Sequence, residues 1–188
     1  MAARIGPAVE AVRIVLPGPR LAEEKRMHRN AGAFDFLLGE WEISMLTMPE
    51  GSTVGRRATL NVRRILDGAA FLDEIRHLDQ AGQVNFRGAT FRTYLPGRDR
   101  WYVLWMMANV DGYSELEAAV VDGEVHTTGR GRDPVGELVE RGRYHDISGD
   151  GYSFELERSY DGGNTWIRPF VSFRATRLKP GDAGRAAG

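Results

Sequence analysis

Arg92, Glu115 and Arg158 stand in the middle of alternating apolar stretches, where an ionised side chain is out of place. Glu115 shares a face with Tyr113, and Arg158 shares one with Phe154 and Leu156. Asp73, His77 and Glu117 hold similar mid-stretch positions. A charge that points into an apolar interior must be paired, or its pKa moves until it is neutral. Facing inward, an Arg–Glu pair would orient a ligand's carboxylate or carbonyl. Glu115 or Asp73 would then be the candidates for general acid–base work in a water-poor lumen. Facing outward, the same residues are solvated charges with no chemical task.

Other chemistries are excluded or weakly signalled. The chain has no cysteine, so it has no disulfide framework, thiolate nucleophile, iron–sulfur cluster or cysteine-ligated zinc. His28, His77, His126 and His145 are scattered and form neither His-x-His nor His-x-x-x-His, and no metal site is expected. Haem, which needs one axial His and an apolar slot, stays open, but no cofactor is expected. There is no Gly-x-Ser-x-Gly elbow. The stretch GRGRDP, Gly129 to Pro134, reads as a loop and lacks the ending and following helix of a phosphate-binding loop.

The elements that must position these side chains are short and alternating. Strands are expected at 41–48, 56–66, 70–78, 84–95, 101–108, 113–121, 124–128, 136–147, 152–160 and 165–178. Gly, Asp and Asn turns separate nearly all of them, with Asp67-Gly68 and Asp122-Gly123 the clearest hairpin signals. Short connections make sequence neighbours spatial neighbours, hence an antiparallel meander. Ten twisted strands protect their edges best by closing on themselves. The expected fold is all-β, a closed antiparallel up-and-down barrel of about ten strands.

The segment FDFLLGEWE, Phe34 to Glu42, leads into the first strand. Phe34, Leu37 and Leu38 have the spacing of one helical turn, Gly39 can stop it, and the result is an apolar plug for one end of a barrel. Gly39-Glu40-Trp41 resembles the Gly-x-Trp opening motif of lipocalins and related calycin barrels. That resemblance implies an Arg from the last strand over the Trp ring, here Arg174 or Arg177. The chain also resembles a bacterial group of lipocalin-like domains of unassigned function. They open with Phe-Asp-Phe-Leu-x-Gly-x-Trp and end with a Ser-x-Asp-Gly-Gly-x-x-Trp hairpin, matched here by Ser159, Asp161, Gly162, Gly163 and Trp166. The two segments bracket residues 34–166. The resemblance implies a lipocalin-like fold and carries no catalytic set.

Parity then suggests the lumen. Trp41, Ile43 and Met45 are expected to line it, with Tyr94, Trp101, Trp105 and Tyr113 from the central strands. Together with Arg92, Glu115 and Arg158 they make an apolar, adaptable pocket with polar handles. The strand WYVLWMMA is apolar on both faces, so its outer face is expected to be covered, by the chain's own loops, the N-terminal extension or a second subunit in a homodimer.

The chain has 188 residues, enough to bury a core without staples. Lys plus Arg number 25 against 26 Asp plus Glu, a balance that gives no reason to expect nucleic acid or an anionic membrane. No run of about 18 apolar residues spans a membrane, and the first 20 residues lack a signal peptide's apolar core. A cytoplasmic location is therefore expected. Residues 1–32 read as an extension, partly disordered or helical over Leu21–Asn30, residues 33–179 as the barrel, and 180–188 as a disordered tail. The expected function is binding of an apolar or aromatic small molecule in the lumen. The alternatives are a cofactor-free cyclase, isomerase or hydratase acting on a polyketide-like or terpenoid substrate, or an oligomerising module with a filled barrel.

Overall fold

A computed structural model describes residues 29–179. The helix expected over 21–30 lies almost wholly outside the described residues, and so does the tail from 180 onward. Ten strands follow a 3-10 turn at Asp35–Leu37: β1 (Gly39–Thr47), β2 (Arg57–Ile65), β3 (Ala70–Leu78), β4 (Val84–Leu95), β5 (Arg100–Met107), β6 (Tyr113–Val121), β7 (Glu124–Asp133), β8 (Gly136–His145), β9 (Gly151–Ser159) and β10 (Ile167–Arg177). Each pairs antiparallel with its sequence neighbours, and β1 pairs with β10 to close the barrel. No helix among the described residues is long and apolar enough to cross a membrane.

Alternation dictates which side faces in. Along β2 the buried residues are Ala58, Leu60 and Val62, with exposed Arg57, Asn61 and Arg63 between them. The tight turns rest on residues that tolerate positive φ, such as Asp122 (φ 50°) followed by Gly123 (φ 85°). The main departure from the expected strands is β7, which runs on through Gly129–Asp133 where a loop was expected. The two glycines there are what hid the strand, since glycine favours no extended conformation. They allow a close approach: a β-carbon at Gly129 or Gly131 would collide with the β6 backbone.

One end is sealed by the chain before β1. Phe34 and Leu37 are fully buried beneath it. Phe34 meets the edges of Trp101 at 5.4 Å and Tyr144 at 5.8 Å, and Phe36 meets Tyr152 at 5.3 Å. Gly39, at φ 116°, turns the plug into β1, and a β-carbon there would come within 2.8 Å of the Arg177 guanidinium. Arg177, the last residue of β10, lies over the Trp41 ring at 4.1 Å and donates to the carbonyls of Leu38 (2.6 Å) and Phe36 (3.0 Å). Of the two arginines expected at this seam, Arg174 points outward and is exposed.

Asn30 completes the seal. Its amide NH2 donates to the Asp99 carbonyl (2.7 Å), its side-chain oxygen accepts from the Val120 N–H (2.6 Å), and its carbonyl accepts from the Trp101 indole (2.7 Å). Asn30 and Ala31 are both buried at this end. The outer face of β5 carries Tyr102 and Leu104, both half-buried, and exposed Met106. Leu104 stands opposite Phe91 of β4 and Glu115 of β6, so this face is partly covered by its own sheet neighbours.

Candidate functional site

The barrel holds a cavity of about 350 Å³ that runs from Leu37 and Tyr152 at the plug to the loops at the opposite end. Its wall is mostly apolar, with Met45 from β1, Ile75 from β3, Phe86 from β4, Trp105 from β5 and Phe173 from β10. The Trp105 ring lies across the β4 backbone at Gly88, where any β-carbon would collide with it, and stacks on Phe86 at 6.4 Å. Gly88 is therefore the residue that leaves room for the indole against the β4 backbone.

Two buried charge clusters interrupt the apolar lining. In the first, Arg92 of β4 forms an ion pair with Asp73 of β3. Its second Nη donates to the Tyr144 hydroxyl (3.2 Å), which reaches across from β8, and its guanidinium lies 4.9 Å from the Phe34 ring centre. Asp73 Oδ1, Arg92 Nε and Thr127 Oγ1 are buried without hydrogen-bond partners among the described residues. Burial pushes the Asp73 carboxyl up, an effect that the neighbouring Arg92 opposes, and burial raises the Tyr144 phenol as well.

The second cluster sits nearer the mouth. Arg158 of β9 donates through Nε to Glu140 Oε1 (2.8 Å), its directly opposite partner on β8. Through Nη1 it donates to Asp133 Oδ2 (2.6 Å), which also accepts from the Tyr160 hydroxyl (2.8 Å). The guanidinium stacks on Phe170 at 3.9 Å. Asp133 Oδ1 accepts from the Val135 and Gly136 N–H groups, so the same carboxylate builds the β7–β8 turn.

His77 also lines the cavity. Its Nδ1 lies 2.7 Å from the Gly55 carbonyl, and a carbonyl only accepts, so Nδ1 carries the proton and Nε2 is left as an acceptor. Burial holds its pKa below the usual 6.5. The neutral form's contribution to stability is therefore complete above about pH 6.5 and is lost as pH falls toward the lowered folded value. Asp73 acts with the opposite sign, because its raised pKa favours the folded state as pH falls through the carboxylate range. The native melting temperature is expected to fall between about pH 7 and pH 5, and His77→Asn, which keeps a donor for Gly55, should make that fall shallower. Thermal melts at both pH values check this, and equal slopes would rule His77 out.

Of the residues expected to line a pocket, Met45, Arg92, Trp105 and Arg158 lie in the cavity wall, and so does the acid–base candidate Asp73. Trp101 and Tyr94 face the lumen but are packed at the sealed end, 5.6 Å apart, with the Tyr94 hydroxyl on Asp99. Glu115 and Tyr113 point outward, and so does Glu117; the parity expected for β6 is reversed. Its inward residues are Ser114, Leu116 and Ala118, all buried, while Glu115 accepts from the Tyr102 hydroxyl on the outer surface (3.0 Å). The misleading signal was Tyr113, since an aromatic suggested an inward face. The uncharged series Ser114, Leu116, Ala118, Val120 pointed the right way. Glu140, Asp133 and Tyr144 were missed. Glu140 and Tyr144 stand two and six positions past Leu138 on its alternation, which was the available sign.

The Ser159–Trp166 hairpin is a self-contained turn at the mouth-side end of β9. Ser159 Oγ donates to Asp161 Oδ1 (2.7 Å) and accepts from the Gly163 N–H (2.8 Å), while Asp161 Oδ2 accepts from the Thr165 hydroxyl (2.7 Å). These bonds hold the Asp161 carboxyl well below its usual range, the Thr165 bonds most of all. Trp166 folds back under Arg141 at 4.2 Å, so the motif secures a turn and contributes nothing to the cavity wall. Among the described residues no group of three or more His, Asp or Glu converges to hold a metal ion. No known family model matches the chain, and neither does any curated protein sequence.

Proposed function

We propose that the protein binds a small, largely apolar molecule inside the barrel. The observation that carries this reading is the cavity of about 350 Å³, open at one end and lined by Trp105, Phe86, Phe173 and Met45. Apolar area removed from water supplies the affinity, and the buried ion pairs supply orientation. A barrel serving only as an oligomerising module would have no use for that space. The neutral probe N-phenyl-1-naphthylamine tests the reading, since its emission rises when it leaves water. Saturable enhancement is expected. Trp105→Ala should weaken it by roughly tenfold or more, about 1.4 kcal/mol or more, while Glu115→Gln on the outer face should leave it unchanged. Enhancement that never saturates, or that ignores Trp105→Ala, would sink the proposal.

One observation favours a second reading as an enzyme. Asp73 is a buried carboxylate with one oxygen unpaired, beside a guanidinium and a phenol, which is the equipment of acid–base isomerisation or hydration. Asp73, not Glu115, would carry that chemistry. Native mass spectrometry of protein from its host would recover a retained molecule, and incubation would show whether the native protein converts it and Asp73→Asn does not.

A further inference from the structure

We infer that the cavity selects uncharged apolar molecules bearing a hydroxyl-type group, one that both donates and accepts a hydrogen bond, and turns carboxylates away. The inference deepens the binding reading above and rests on it.

The two guanidiniums in the cavity wall are both already committed. Arg92 is paired with Asp73, and both side chains are 4% exposed. Arg158 is shared between Glu140 and Asp133. Among the described residues no other Lys or Arg lines the cavity, and His77 is neutral. The wall thus sets Arg92 and Arg158 against the three carboxylates of Asp73, Asp133 and Glu140. A carboxylate entering this space meets no unpaired cation. To gain one it must take a guanidinium from its wall partner, leaving a buried anion uncompensated. This is the reverse of the sequence expectation, in which an inward Arg was a handle for a ligand carboxylate.

The polar capacity left over is neutral in character and mixed in sense. Asp73 Oδ1 can accept, Arg92 Nε can donate, and Thr127 Oγ1 can do both; all three are buried and unpartnered in the wall of the cavity. Arg92 donates to the oxygen of Tyr144, so that bond leaves the phenolic hydrogen unused. A carboxylate only accepts, and would meet Asp73 Oδ1 with repulsion. A hydroxyl satisfies an acceptor and a donor at once. The aromatic and aliphatic wall, with Trp105 stacked on Phe86, suits a planar ring as its carrier.

Matched ligands test the selection. Calorimetric titration of the full chain at about pH 7.5 would compare 2-naphthol with 2-naphthoate, which share one ring system and differ in the polar group. The expected result is that 2-naphthol binds at least tenfold more tightly. Asp73→Asn, which releases Arg92 from its partner, should strengthen 2-naphthoate and narrow that ratio. If the variant does not fold, the native comparison still decides. Equal or tighter binding of 2-naphthoate to the native protein overturns the inference and leaves the binding reading standing. The inference alone also falls if N-phenyl-1-naphthylamine binds and neither naphthalene does. If none of the three binds, both fall.

Discussion

Arg92→Met is expected to destabilise the protein by about 3–5 kcal/mol, the range for removing one partner of a buried ion pair. The loss should exceed that of the packing alone, because Asp73 is 4% exposed and Arg92 is the guanidinium that compensates it. Asp73→Leu combined with Arg92→Met should recover much of the stability, since both buried charges are then gone and the site becomes apolar. Denaturant unfolding of the two single variants and the double variant reads the coupling directly. Additive losses would mean the pair does not behave as a buried unit.

Trp41→Ala should cost about 3–5 kcal/mol as well, for a different reason. The indole is fully buried, packs edge-on to Tyr152 at 5.0 Å, and donates to the Leu37 carbonyl at 2.7 Å. Its removal opens a hole where plug, β1 and β10 meet and leaves Arg177 without the ring it covers. A melting temperature unchanged by the substitution would show that the seal does not depend on this residue.

The barrel was legible in the sequence because two local signals agreed along almost its whole length. β3, β4 and β6 begin and end at the expected residues, and each alternates between turns that tolerate only a few residue types. β7 was cut short where Gly129 and Gly131 serve a close approach to β6, a fact about a neighbouring strand that its own residues do not announce. The site was half legible for a related reason. Parity within one strand says which residues share a face, but not which face is inside. For β6 the aromatic Tyr113 outweighed the charges at Glu115 and Glu117, and the wrong side was chosen. Arg92 and Arg158 were found because a lone charge in an apolar alternation is conspicuous. Their pairings were not, because Asp73–Arg92 and Glu140–Arg158 become pairs only once strand register is known.

The even number of strands brings the described chain in and out at the same end. Asn30 and Arg177 both lie beside the plug, so among the described residues the opposite end of the barrel is formed by the hairpin loops between β1 and β2, β3 and β4, β5 and β6, β7 and β8, and β9 and β10. Such a plan separates what must stay fixed from what is free to vary. Loop sequences at the rim can be exchanged, lengthened or randomised while the aromatic seal that closes the barrel is left intact. A library confined to residues 48–54 and 108–111 would change Met48, Pro49, Ser52, Val54 and Val110 at the mouth while leaving Gly55, which holds His77, in place. The barrel is in that sense a scaffold whose selectivity can be rewritten from one end.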